Sequence, residues 1–134
     1  KDAFYKGLEV LDILRQYQID FIVLAGFLLK VSQPLLDAYP RRIINIHPAL
    51  LPLYGGKGMY GDRVHRAVVE AGEKESGITI HYVNEHYDEG DIIFQARCEL
   101  LPGDTPVEVA RKVHELEYAH FPEVIDSLVK KLSN

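Results

Sequence analysis

What this sequence lacks already narrows its class. It has a single cysteine, Cys98, so an internal disulfide cannot form, and this usage is typical of a reducing cytoplasm. It has no apolar run of the ~20 residues that a membrane-spanning helix needs, and it does not open with a charged and then apolar leader. It has no basic stripe, and its net charge is −5. We therefore expect a cytoplasmic protein whose partners include neither nucleic acid nor membrane.

Several well-known site patterns are also missing. The sequence contains no Gly-rich phosphate loop, no cysteines and histidines at metal-binding spacing, no nucleophile elbow, no zincin motif and no dinucleotide fingerprint. These absences predict that no metal is bound. Any chemistry must then come from side chains arranged in some other way.

What is present indicates one α/β domain over residues 1–134, of which 47% are hydrophobic. Apolar residues recur at helical spacing from Phe4 to Tyr17. The short apolar run Phe21–Ala25 is typical of a strand buried on both faces of a parallel sheet, and Ile43–Ile46 is predicted to be a second apolar strand. Further helices are predicted over 33–39, 62–72 and from Pro106, with a kink near Pro122, and further strands over 77–84 and 91–100. This alternation predicts an open, mostly parallel sheet with helices on both faces.

Polar residues stand where the second apolar strand ends. Asn45 and His47 are two positions apart, so they share one face of that strand. A buried asparagine either pairs with backbone or directs its amide at a ligand oxygen. A histidine here either caps a turn or transfers protons, for which its ordinary pKa of about 6.5 is suited.

Two later segments carry more candidates. His81 lies in an alternating strand, where it is either a satisfied core histidine or part of a site. Asp88 lies on the turn between the last two strands, where it either forms the turn or raises the pKa of His47 as a neighbouring carboxylate. The loop over 48–61 holds two prolines and four glycines, and loops of this length are usually functional. Its segment from Gly55 to Gly61 is either a lid or a variant turn.

Taken together, these segments resemble the folate-dependent formyltransferases. The resemblance runs from about Asp20 to about Val124 and is carried by Asn45-Ile46-His47-Pro48-Ala49-Leu50-Leu51-Pro52, by Gly77-Ile78-Thr79-Ile80-His81 and by the Asp88-Glu89-Gly90 turn. It implies a formyltransferase-type open sheet. It also implies that Asn45, His47 and Asp88 are the catalytic residues.

The resemblance is strongest to the branch that formylates glycinamide ribonucleotide in purine (IMP) synthesis, with 10-formyltetrahydrofolate as co-substrate and no metal. His81 belongs to the pattern of that branch, whereas relatives that formylate initiator methionyl-tRNA typically lack it, so His81 is a candidate for supporting the site. The family's folate pocket maps onto Leu28, Leu29, Lys30, Val31, Asn45, Asn84, Glu85, His86, Tyr87 and Asp88. His114 and Glu117 match positions that hold the ribose of the nucleotide, although a solvated helix face is the alternative for Glu117.

The resemblance also leaves alternatives open. Formyltetrahydrofolate hydrolases share the chemistry but usually show His-His-Ser-Phe-Leu-Pro where this chain has His47-Pro48-Ala49-Leu50-Leu51-Pro52. A non-catalytic folate-binding fragment is another alternative, and a homodimer is one assembly that the sequence allows. Family members begin with a strand, a Gly-rich turn and a helix that hold the substrate phosphate. We therefore expect this chain to be the C-terminal two-thirds of the domain, with the Rossmann-like first half truncated and nucleotide binding weak on its own.

Overall fold

The computed structural model describes residues 2–25, 31–86 and 89–132. Helices and strands alternate through most of this part of the chain, as the apolar patterns predict. In chain order the elements are α1 (Asp2–Gln16), β1 (Ile22–Ala25), α2 (Gln33–Ala38), β2 (Ile43–His47), α3 (Asp62–Glu70), β3 (Glu75–Tyr82), β4 (Ile92–Glu99) and α4 (Pro106–Leu132).

The four described strands form one open sheet in the order β1-β2-β3-β4. β1 and β2 are parallel, since a crossover that includes α2 joins them, whereas β2–β3 and β3–β4 are antiparallel. The predicted open α/β sheet is confirmed. Its described part is mixed, with the parallel pairing confined to β1 and β2.

β2 is buried along its whole length, because helices cover both faces of the sheet. Ile44 and Ile46 point into a core shared with α3 and α4, to which Val64 and Val113 contribute. Ile43 points the other way, into a smaller cluster that includes residues of α1 and α2. The sheet therefore holds the last residues of β2 rigidly from both sides.

The start of α4 shows why this helix was easy to locate in the sequence. Glu108 N–H donates to Thr105 Oγ1 at 3.3 Å, and Thr105 N–H donates to Glu108 Oε1 at 3.2 Å, which is the reciprocal capping box expected from this sequence. The predicted start at Pro106 is confirmed, and the helix continues through Pro122 to Leu132. Within the described residues, no helix combines the length and apolar character needed to cross a membrane.

Gly90, in the turn that follows β3, packs directly against the end of that strand. A Cβ added there would overlap the carbonyl group of Tyr82. Only glycine therefore fits the last position of the Asp-Glu-Gly turn without displacing the backbone. The glycine of this motif brings the turn close to the strand that carries His81.

Candidate active site

The candidate residues of β2 meet those of β3 through the strand register. Asn45 lies directly opposite His81, and His47 lies directly opposite Thr79. Directly opposed residues of an antiparallel pair share a face with their Cβ atoms about 4.5–5.5 Å apart. All four side chains are buried, so the sheet gathers a compact polar cluster at the edge where β2 ends.

The first half of this cluster orients the amide of Asn45. His81 Nδ1 lies 2.9 Å from the carbonyl oxygen of Tyr82, and since a carbonyl only accepts, this nitrogen donates. The neutral ring then accepts at Nε2, which lies 3.4 Å from Asn45 Nδ2. The carbonyl oxygen of the Asn45 amide is buried and has no hydrogen-bond partner among the described residues. A buried polar atom in this state is unusual and points to a ligand or water as its partner.

The second half of the cluster fixes the ring of His47. Its Nε2 lies 2.7 Å from the carbonyl oxygen of Tyr54, in the loop that follows β2. The same reasoning makes Nε2 the donor. The sequence predicted a functional histidine or a turn cap at this position, and in the structure the ring binds the backbone of the loop that follows β2.

The folate-pocket residues predicted from the resemblance are only partly visible. Val31 is half-buried against the smaller apolar cluster. Asn84 Oδ1 accepts from the backbone N–H of His86 at 2.8 Å, so this asparagine shapes the turn after β3. Glu85 lies 3.7 Å from His86 in an exposed ion pair. The remaining predicted residues lie outside the described part of the chain; they are Leu28, Leu29, Lys30, Tyr87 and Asp88.

The two residues predicted to hold the nucleotide form a pair on α4. His114 Nδ1 lies 3.5 Å from Glu117 Oε2. The side chain of Glu117 is only 25% exposed, whereas that of Glu115, which pairs with Arg111, is 66% exposed. Glu115 is the solvated glutamate of this helix, and Glu117 is held against the fold, which favours the functional interpretation of Glu117.

His65, on the buried side of α3, was not predicted as a site residue. Its Nδ1 is buried without a hydrogen-bond partner among the described residues. Burial lowers the pKa of His65, His114 and His47 add to that effect, and Asp62 opposes it. His65 is therefore within electrostatic reach of both His47 and His114. The sequence offered one indication that His65 is buried, namely its position beside Val64 and Val68 on the apolar face of α3.

The lowered pKa of His65 predicts how stability changes with pH. The folded state binds a proton at His65 less readily than the unfolded chain does. The free energy of unfolding is therefore unaffected by His65 above its ordinary pKa of 6.5, and it falls as the pH drops from 6.5 towards the lowered pKa of the folded state. We expect His65→Gln to flatten the dependence of Tm on pH below about 6.5. Thermal unfolding between pH 5 and 8 measures this slope. His86→Gln is the matched control, since His86 is exposed; equal slopes for all three proteins would contradict the prediction.

The polar cluster of β2 and β3 lies within the part of the chain that a family model matches. The chain matches the formyl transferase family over residues 6–125 and belongs to it. Within this family, the chain is similar to proteins named phosphoribosylglycinamide formyltransferase. It is 47% identical over 123 residues to the chloroplastic phosphoribosylglycinamide formyltransferase of Arabidopsis thaliana, covering 92% of this chain and 42% of that protein.

Two bacterial relatives extend the comparison. The phosphoribosylglycinamide formyltransferase of Bacillus subtilis (strain 168) is 38% identical over 129 residues, which cover 96% of this chain and 63% of that protein. The crystal structure of phosphoribosylglycinamide formyltransferase from Streptococcus pneumoniae TIGR4 superposes with a TM-score of 0.84 at 37% identity, over 96% of this chain and 68% of that one. The chain thus spans less than two-thirds of the length of the curated relatives from Arabidopsis and Bacillus.

Proposed function

We propose that this protein transfers a formyl group from 10-formyltetrahydrofolate to the amine of glycinamide ribonucleotide. The observation that carries the proposal is the pairing of Asn45 and His47 on one buried face of β2, inside the motif shared with the family. The relatives named for this activity match the chain over more than nine-tenths of its length. The same proposal makes the partners of the site small molecules, within purine synthesis.

The chemistry to be catalysed is an acyl transfer with a charged tetrahedral intermediate. The amine attacks the formyl carbon, and the carbonyl oxygen of the formyl group becomes an oxyanion. Asn45 Nδ2 has two N–H groups, of which His81 engages one, so the other is available to donate to that oxygen. A donor directed at a developing oxyanion contributes to k_cat by a factor of about 10² to 10³.

The carbonyl oxygen of the Asn45 side chain can accept a hydrogen bond from the attacking nitrogen of the same intermediate. After attack, the former amine nitrogen carries N–H groups and positive charge, which require an acceptor. Asn45 Oδ1 is buried and lacks a partner among the described residues. One amide thus offers a donor and an acceptor to the two charged ends of one intermediate, and binding such an intermediate would relieve the cost of the unpaired oxygen.

His47 and Asp88 divide the proton transfers in this proposal. The ring of His47, held by the carbonyl of Tyr54 at Nε2, carries the proton that stabilises the oxyanion and then passes towards the leaving folate nitrogen. Asp88, assigned by the motif, favours the charged form of His47 and helps deprotonate the attacking amine through water. His81 supports the site by holding the amide of Asn45 in this orientation.

Binding of the two substrates is assigned to separate parts of the chain. The pterin lies between Val31, with the Leu28–Lys30 segment before it, and the turn from Asn84 to Asp88. The ribose of the nucleotide is held by Glu117, which His114 orients at 3.5 Å. Partial burial of Glu117 supports this assignment, because a carboxylate held against the fold is positioned to bind ribose hydroxyl groups.

The test is the loss of formyl from 10-formyltetrahydrofolate, measured with and without glycinamide ribonucleotide. We expect loss that depends on the nucleotide and is matched by formylated product. Release of formate without the nucleotide would instead identify a hydrolase. Stoichiometric folate binding without any product would identify a non-catalytic binding protein, and either of these results would overturn the proposal.

A further inference from the structure

Tyr54 holds its backbone in a conformation that tyrosine rarely adopts. Its φ angle is 56°, in the left-handed region where the Cβ atom of an L-residue comes too close to the backbone. A bulky residue stays in this region only when its surroundings hold it there. The carbonyl oxygen of this same residue accepts the hydrogen bond from His47 Nε2 at 2.7 Å. The strained backbone therefore belongs to the residue that contacts the proposed catalytic histidine.

Apolar packing is the first means by which the structure holds Tyr54. Its half-buried side chain packs against the main core cluster, to which Val64 and Val68 of α3 belong. Ala49 and Leu51, earlier in the same loop, are buried as well. Because burial removes these apolar surfaces from water, it fixes where the loop lies and where the ring of Tyr54 is placed.

The hydroxyl group of Tyr54 provides a second point of attachment. It donates a hydrogen bond to the carboxylate of Glu73. Burial raises the pKa of this hydroxyl above its ordinary value of 10, and the charge of Glu73 and the hydrogen bond raise it further. The hydroxyl therefore keeps its proton and remains the donor. A hydrogen bond to a charged acceptor is stronger than one between neutral groups, so Glu73 fixes the outer end of the tyrosine ring.

Glu73 is itself held by the way in which α3 ends. Gly72 follows the helix with a φ angle of 69°, and its N–H donates to the carbonyl oxygen of Val69 at 3.0 Å. The N–H of Glu73 donates to the carbonyl oxygen of Val68 at 3.3 Å. This pair of bonds is the Schellman motif, in which a glycine takes the left-handed position after a helix. The carboxylate thus reaches Tyr54 from a backbone that α3 fixes.

We propose that Tyr54 is a positioning residue for His47. Its side chain, held by the apolar core and by Glu73, keeps the backbone at position 54 in the left-handed region, where its carbonyl oxygen faces His47 Nε2. Since a carbonyl only accepts, the ring donates from Nε2, and this bond helps to orient the ring. The kinetic part of this inference rests on the proposed formyl transfer, whereas the hydrogen bond of His47 is measurable without it.

The first test compares Tyr54→Ala with Tyr54→Phe. Alanine removes both attachments of the side chain, so the backbone is free to leave the left-handed region and to turn its carbonyl away from His47. We expect kcat to fall by about 10- to 100-fold with little change in KM, because a displaced reacting group lowers the rate rather than substrate binding. Phenylalanine keeps the packing and loses only the bond to Glu73, so its kcat is expected to fall by only about 2- to 5-fold.

Leu53→Ala is the matched control for this comparison. It makes a similar truncation one residue earlier in the loop, at a side chain that is 55% exposed, and its kcat is expected to equal that of the wild type. Equal losses in Leu53→Ala and Tyr54→Ala would overturn the inference, since any truncation in the loop would then have the same effect. A lower Tm in Tyr54→Ala with wild-type kcat would also overturn it, because a purely structural role predicts that result.

The second test observes the Nε2 proton of His47 in ¹H–¹⁵N NMR spectra of histidine-labelled protein. We expect a resonance shifted downfield by the hydrogen bond in the wild type and in Tyr54→Phe, and its loss or upfield shift in Tyr54→Ala. If Tyr54→Ala does not fold, Tyr54→Gly takes its place, since glycine tolerates this φ angle and also lacks the anchoring side chain. A folded variant of either kind with wild-type kcat and an unchanged Nε2 resonance would overturn the inference. Failure of formyl transfer in the wild type would reject the proposed function and leave the NMR test standing.

Discussion

Replacing Asn45 with alanine is expected to lower k_cat for formyl transfer by about 100- to 1,000-fold, because the substitution removes a donor directed at the oxyanion. The loss should appear in k_cat more than in K_M, since the donor acts on charge that develops only in the transition state. Steady-state kinetics with both substrates varied measures the two parameters.

The same substitution is expected to cost little stability, which makes the kinetic result easier to interpret. The carbonyl oxygen of Asn45 already lacks a partner among the described residues, and its amide contributes one long contact of 3.4 Å to His81. Removing a group that is poorly satisfied in the fold relieves a desolvation cost. A large drop in Tm together with a small drop in k_cat would contradict both parts of this expectation.

Gln16→Ala is the matched control. It removes the same amide group from an exposed position on α1, where Gln16 Nε2 donates to Asp12 of its own helix at 3.3 Å. Its k_cat and K_M are expected to equal those of the wild type. Comparable losses in both variants would show that amide removal perturbs the protein in general rather than the oxyanion site.

The elements that carry the site were predictable from the sequence because each has a strong local signal. The run Ile43–Ile46 predicts a second apolar strand, and the structure confirms it as β2, which is buried along its length. The prediction that Phe21–Ala25 is a strand buried on both faces was wrong, because β1 lies at an edge of the described sheet and its residues alternate between half-buried and exposed. The capping residues Thr105 and Glu108 predict the start of the last helix to the residue. The position of Asn45 and His47 on a common face follows from their spacing alone.

The contacts between strands were not predictable in the same way. Whether Thr79 lies opposite His47, and Gln95 opposite Thr79, depends on the register of two antiparallel pairings. The alternation of apolar residues disfavours a slip of one residue, which would reverse the faces, but it does not distinguish registers that differ by two residues. His65 was missed for a related reason, since a histidine on a short amphipathic helix becomes notable only when its burial and its charged neighbours are known. Strand register and the burial of His65 are tertiary properties, so they become known only from the three-dimensional structure.

The proposed role of Asp88 still rests on the motif, and it makes the second large prediction. Asp88→Asn keeps the shape of the side chain and removes its charge, so His47 loses the carboxylate that favours its charged form and the amine loses its route for deprotonation. We expect k_cat to fall by about 100-fold or more, which is the lower end of the range for general acid and base catalysis. K_M for the folate and the nucleotide should change much less. Initial rates over a range of pH measure the effect.

Glu89→Gln is the control for that experiment, because it removes the same charge one residue further along the turn. Its side chain is exposed and lies 3.9 Å from the ring of His86 in a weak ion pair. If the charge of the turn as a whole attracted the substrates or tuned His47, the two variants would behave alike. A large loss of kcat in Asp88→Asn, with wild-type kinetics in Glu89→Gln, would instead show that the reaction requires a carboxylate specifically at position 88. This position lies in the turn whose Gly90 leaves no room for a side chain against Tyr82.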